Sequence, residues 1–100
     1  MGCKRGLILH PEDNVASMLE EVQPGETVEL NLGAEILPVE AIERVPFGFK
    51  MAVAEIAAGA PVIKYGEPIG LASQPIQRGA LVHIHNLAGA RGRGDLEKKA

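Results

Sequence analysis

The sequence predicts a small single domain, mainly β with one or two short helices, and three observations carry that prediction. Apolar and polar residues alternate over short runs, most cleanly in Thr27–Leu32, where Val28, Leu30 and Leu32 share one face and Thr27, Glu29 and Asn31 the other. A turn-then-strand unit recurs at residues 22–28, 56–62 and 76–82. Each places Gly25, Gly59 or Gly79 three residues after an apolar residue and three before a valine. Glycine supplies the positive φ such turns need, and the unequal intervals between the units exclude a solenoid. Finally, the 100 residues are 46% hydrophobic but only 3% aromatic, with Phe47, Phe49 and Tyr65 the sole members. The core must therefore be aliphatic, and a chain of this size has little core to spare for a deep pocket.

Taken in order, residues 4–9 read as a first strand, closed by His10-Pro11 because a residue before proline is pushed towards extended geometry. Val15, Met18, Leu19 and Val22 then fall at helical spacing, which predicts an amphipathic helix with Asp13 or Asn14 as N-cap and Pro24-Gly25 as its stop. Thr27–Leu32 and residues 36–41 form a hairpin, with Pro38 arguing for a sheet edge in the second strand. The loop around Phe47-Gly48-Phe49 exposes apolar surface unless it folds over the core or meets a partner, including a second copy in a homo-oligomer. Residues 52–58 suggest one helical turn, ended at Gly59. Residues 62–65 and 68–72 read as two strands separated by Gly66-Glu67, with Gly70 marking a bulge or close backbone approach. The boundaries are a domain at residues 5–88 and a Gly-rich, charged tail at 89–100.

Composition excludes several classes. A net charge of -3, with the one basic cluster at Arg91 and Arg93 in the tail, argues against a general nucleic-acid binder. The apolar run after Lys4 and Arg5 is too short for a signal peptide or a membrane span. Cys3 is alone, so there is no intrachain disulfide, and a reducing, cytoplasmic setting is expected.

The chemistry concentrates in residues 76–86. Residues 81–85 read as a strand that sets His83 and His85 on one face, roughly 6 to 7 Å apart at their Cα atoms. Two such imidazoles are candidates for acid/base work near neutral pH or for a shared metal. A metal normally takes three or four protein ligands, and only His10 and Cys3 remain as nitrogen or sulfur donors, so carboxylates or another chain must complete any set. Lys50 and Lys64 are candidates for binding a substrate carboxylate, and Asn86 for binding a hydroxyl. The competing readings are plain: two surface lysines, an asparagine capping a turn, Tyr65 as half-buried packing, and His10, Asp13 and Asn14 as loop and cap residues.

Four pieces in order, residues 10–15 (HPEDNV), Pro46-x-Gly48-x-Lys50, Lys64-Tyr65-Gly66-x-x-Ile69-Gly70 and His83-x-His85-Asn86, resemble the SAF domain, a β-clip fold. The resemblance is to the version that opens the altronate and galactarate dehydratases and that also stands alone as the small subunit of sulfolactate sulfo-lyase. It covers about residues 5–93. It implies a lyase that removes water, or sulfite, from an acidic sugar by abstracting a proton next to its carboxylate, with a divalent metal, iron(II) or manganese, assisting. It also implies that the larger catalytic part lies on another chain or domain: in fused relatives a longer domain follows an RGRGD-like linker, which this chain has at residues 91–95, so it resembles a stand-alone small subunit or a fragment cut at that linker. On that reading His83 and His85 are catalytic or metal-binding, while Lys50, Lys64 and Asn86 bind substrate at a shared site. Alternatives from other classes are a non-catalytic module that binds sugar acids or protein, and a chaperone-like interaction piece.

Overall fold

In a computed structural model, residues 4–89 are described, and every regular element among them is a strand. β1 (Lys4–Leu7), β2 (Val15–Met18), β3 (Thr27–Leu32), β4 (Glu35–Glu40), β5 (Lys50–Ala52) and β8 (Leu81–Val82) form one sheet in the order β4-β3-β1-β2-β5-β8. β6 (Pro61–Lys64), β7 (Glu67–Ala72) and β9 (Leu87–Gly89) form a second, in the order β6-β7-β9. Neighbours are antiparallel except β1 and β3. The mainly β expectation holds, and Pro38 does lie on the edge strand β4. There the missing N–H removes a donor from an open edge, and Arg78 Nη2 donates to the Pro38 carbonyl at 3.0 Å.

Neither expected helix forms. Val15, Ala16 and Met18 are all buried because β2 lies between two cores: Val15 joins one, Ala16 and Met18 the other. A strand buried on both faces loses its alternation, and its apolar residues can then imitate helical spacing. Leu19, which a helix would have buried, is exposed. The helical turn expected at residues 52–58 is instead the lead-in to a turn at Gly59.

That turn belongs to a device used four times. The three units seen in sequence are joined by a fourth at residues 45–51, with Gly48 as its glycine and Met51 in place of valine. In each, the residue after the glycine donates its N–H to the carbonyl three residues back: Glu26 to Gln23, Phe49 to Pro46, Ala60 to Ala57 and Ala80 to Gln77, at 3.0–3.1 Å. The glycines have φ of 84–89°, the geometry of a type II turn. The turns then clasp in pairs. Gly25 N donates to Ala41 O, and Ala41 N returns a bond to Glu26 O; Gly48 and Met18 repeat the exchange, as do Gly59 with Ala72 and Gly79 with Ala52. Val22 and Val45 exchange two bonds at 2.9 Å, Ile56 and Ile76 two at 2.8 Å.

Each pair of units closes over its own core. Val22, Val28, Val45 and Met51 are fully buried in the first, together with Met18 and Leu30. Ile56, Val62, Ile76 and Val82 centre the second. Gly70 makes the close approach expected of it, since a Cβ there would run into the Ala88 carbonyl on β9. A register shift at Val62/Ile63 supplies the bulge.

Candidate functional site

The strand expected at residues 81–85 stops at Val82. His83 to Asn86 is a turn, so the two histidines do not stand side by side on a strand face. Asn86 is the cause. Its side chain is buried, its Oδ1 accepts from His83 N at 2.9 Å, and its Nδ2 donates to Leu81 O at 2.8 Å. With Asn86 N bonded to His83 O at 3.0 Å, both ends of the amide are engaged in closing the turn. His83 lies against Phe49, their ring centroids 4.5 Å apart and tilted 46°. His85 is exposed, and Ile84 is 83% exposed at the tip.

His85 and Asn86 border a shallow depression of about 360 Å³ that also includes Glu43, Gln74 and Gln77. The Glu43 carboxylate accepts from Leu81 N at 2.9 Å there. Among the described residues no lysine or arginine lines this depression, and the neighbouring one carries Glu55, so the described lining of neither suits an anion. Among the described residues no group of three or more His, Cys, Asp or Glu side chains converges as a metal site. The donors of this stretch alone do not fit a divalent metal, which needs a fuller ligand set.

Lys50 and Lys64 present different chemistry. Lys50 is half-buried on β5, opposite Ser17 of β2. Burial, and then the ammonium of Lys64 nearby, hold its amine below the ordinary lysine range. Among the described residues neither lysine makes an ion pair; the pairs that form are Lys4 with Glu26 and Arg44 with Glu21. Two like charges brought together without a carboxylate between them make a place where an anion relieves repulsion.

Lys64 leads into the β6–β7 hairpin, whose tip is Tyr65-Gly66 and not the Gly66-Glu67 expected from sequence. Tyr65 has φ 60° and Gly66 φ 73°, positive at both central positions as a type I′ turn requires. The HPEDNV stretch holds this hairpin in place. Asp13, 6% exposed, accepts from Tyr65 N at 3.1 Å and Gly66 N at 2.8 Å. Asn14 Oδ1 accepts from Ile63 N at 2.7 Å while its Nδ2 donates to Pro61 O at 3.0 Å. His10 packs its ring under Gly66, where a Cβ would come within 2.9 Å of its Cδ2. Asp13 and Asn14 are therefore caps, of a hairpin and not of a helix. Tyr65 is not half-buried packing: it is 62% exposed, and Lys64 Nζ sits 4.9 Å from its ring centroid.

Residues 4–89 form a small all-β domain of two sheets that carries Lys50 on β5 and Lys64 at the end of β6. The pattern of the altronate/galactarate dehydratase SAF domain matches residues 4–90, and the chain belongs to that family. Altronate dehydratase of Bacillus subtilis is 37% identical over 78 residues, 78% of this chain and 15% of that enzyme. Altronate dehydratase of Escherichia coli is 41% identical over 78 residues, with the same two shares. The alpha subunit of (2R)-sulfolactate sulfo-lyase of Chromohalobacter salexigens is 39% identical over 51 residues, 51% of this chain and 54% of that subunit. The match to the dehydratases falls in their N-terminal region, and the aligned part is only 15% of their length.

Proposed function

We propose that this chain is the SAF part of a hydro-lyase acting on an acidic sugar, and that it lends a carboxylate-binding edge to a site whose chemistry lies mostly in a larger catalytic component. The observation that carries the reading is the half-buried Lys50 within electrostatic reach of Lys64, with no carboxylate paired to either among the described residues, in a chain that belongs to the dehydratase SAF family. Dehydration next to a carboxylate needs a base, an acid for the leaving hydroxyl and a charge sink for the enolate-like intermediate. The lysines hold the carboxylate and draw charge towards it. His83, whose ring rests on Phe49, and the exposed His85 are the acid/base candidates of this reading. Asn86, with its amide engaged in the turn, acts by fixing both histidines. A divalent metal, iron(II) or manganese, would supply a Lewis acid for the carboxylate and leaving hydroxyl, and its ligands belong mainly to the larger component. A cytoplasmic setting goes with this reading; no helix among the described residues is long and apolar enough to cross a membrane.

The test is reconstitution. The purified chain should not dehydrate altronate or galactarate by itself, and should support dehydration when combined with the larger component that co-purifies with it. Lys50→Ala with Lys64→Ala should raise KM for the sugar acid by about ten-fold or more, the loss of one to two charge-assisted contacts. Full activity in that double variant would sink the proposal.

A second reading, the small subunit of a sulfolactate sulfo-lyase, has an observation of its own. The alpha subunit of a (2R)-sulfolactate sulfo-lyase is 39% identical over 51 residues, and those residues are 54% of that subunit. Sulfite release from sulfolactate in the same reconstituted mixture, with no turnover of altronate or galactarate, would favour it.

A further inference from the structure

The β6–β7 hairpin sets an exposed aromatic ring in a backbone conformation that tyrosine rarely adopts. Type I′ turns favour asparagine, aspartate or glycine at the first central position, because both central residues need positive φ. Here Tyr65 takes that place at φ 60°, and the ring is not what stabilises the turn, since it is 62% exposed. The stabilising parts lie elsewhere: the buried Asp13 carboxylate on both tip N–H groups and the His10 ring beneath Gly66. A strained residue held from outside, its side chain turned to solvent beside a lysine, is arranged for something its side chain touches.

We infer that Tyr65 is a substrate-positioning residue whose ring forms a platform for the carbon chain of a polyhydroxy acid while Lys64 and Lys50 take its carboxylate. This rests on the proposed function and deepens it. The geometry supports the division of labour. Lys64 Nζ lies 4.9 Å from the ring centroid, so a carboxylate drawn to that ammonium brings the adjoining carbons over the tyrosine. The ring face offers C–H contacts along the carbon chain, which a simple inorganic anion cannot make. The lysines attract anions in general; Tyr65 supplies preference for a carbon chain.

The experiment is titration of the full chain with sodium galactarate, and separately with sodium sulfate, followed by the backbone amide NMR signals of residues 50 and 64–66. It is run on the wild type, Tyr65→Asn, Tyr65→Phe and the Lys50→Ala/Lys64→Ala double variant. Tyr65→Asn suits the turn better than tyrosine, so its melting temperature should rise by about 2 to 6 °C. Its galactarate affinity should nonetheless fall about five-fold, with sulfate affinity unchanged, while Tyr65→Phe stays within about two-fold of wild type. More stable yet weaker for galactarate alone is an outcome that a merely structural tyrosine would not give. Wild-type galactarate affinity in Tyr65→Asn, with binding lost in the double lysine variant, overturns the inference and leaves the proposed function standing. Equal weakening of sulfate and galactarate in Tyr65→Asn also overturns it, because the ring would then only hold the lysines in place. No binding of either anion by the wild type overturns both.

Discussion

The two hairpins that join the paired turns are equivalent in the fold and unlike in their tips. β3–β4 runs from the Gly25 turn to Ala41, β6–β7 from the Gly59 turn to Ala72, and each is closed by a two-residue loop. In the first, Gly33 takes the positive φ of 58° at the first tip position, and nothing lies within 4 Å of where its Cβ would be. In the second, the glycine has moved to the second position, and Tyr65 bears the positive φ at the first. Only the second has a buried carboxylate on its tip N–H groups and an imidazole under its glycine. The flanking turns and strand pairing are shared, but the tips differ in backbone as well, with positive φ at one position in the first and at both in the second. The additions surround Lys64, and the first hairpin serves as an internal comparison for a tip that lacks them.

The largest break in that comparison should come from Asp13→Ala. It leaves the part-buried N–H groups of Tyr65 and Gly66 without their carboxylate, and should cost roughly 2 to 3 kcal/mol in urea unfolding, because charge-assisted bonds left unmade are expensive. A loss below about 1 kcal/mol would mean that water replaces the carboxylate and that the hairpin tip is not held from below.

Next comes a comparison among the four turn glycines. Gly25→Ala, Gly48→Ala and Gly59→Ala meet open space, and should each cost about 1 to 2 kcal/mol for placing a Cβ at positive φ. Gly79→Ala should exceed all three, since its Cβ would be driven into the Glu40 carbonyl on β4 while the φ penalty stays the same. Equal midpoints for the four alanine variants in one denaturation series would show that the Gly79 turn can move away from β4.

A smaller effect, opposite in sign, is expected at Lys50. Burial and the Lys64 charge lower its amine in the folded state, so the folded chain binds that proton less tightly than the unfolded one. The resulting penalty is fully present below the folded pKa and fades as pH rises towards the ordinary value of 10.5. Lys50→Met should therefore be more stable than wild type at pH 7, with the gap closing in alkali, while losing affinity for galactarate. A gap that does not change with pH would assign the gain to packing instead of charge.

How much of this was legible follows from what each residue contacts. The β3–β4 hairpin and three of the turns were open to reading because alternation and glycine spacing are local signals. The fourth turn was hidden by Phe47, Phe49 and Met51, which replace the residues that made the others look alike. β2 was misread as a helix because two cores claim neighbouring residues, and nothing local reveals a second core. At the candidate site Lys50 and Lys64 could be named from sequence, but their proximity depends on sheet packing. The histidine pair failed as a strand face for a local reason, the Asn86 side chain bonding back to His83 and Leu81, of the kind that diverts asparagine from strands into turns. Asp13 had no local signal, since its partners lie across the fold at Tyr65 and Gly66.

The smallest expected effect tests whether the two hairpins are a fair control for each other. Gly33→Asn should leave stability within about 0.5 kcal/mol of wild type, because asparagine tolerates positive φ and its Cβ meets nothing there. The same change at Gly66 should cost clearly more: φ is again positive, but the Cβ comes within 2.9 Å of the His10 ring. If thermal unfolding shows this order, the first tip is limited only by backbone geometry, and the second by backbone geometry and the packing beneath it. Tyr65 then stands out as the one tip residue whose type neither constraint explains. A large loss in Gly33→Asn would reverse the argument. The first hairpin would carry a hidden constraint of its own, and the contrast with Tyr65 could no longer be attributed to what the second hairpin binds.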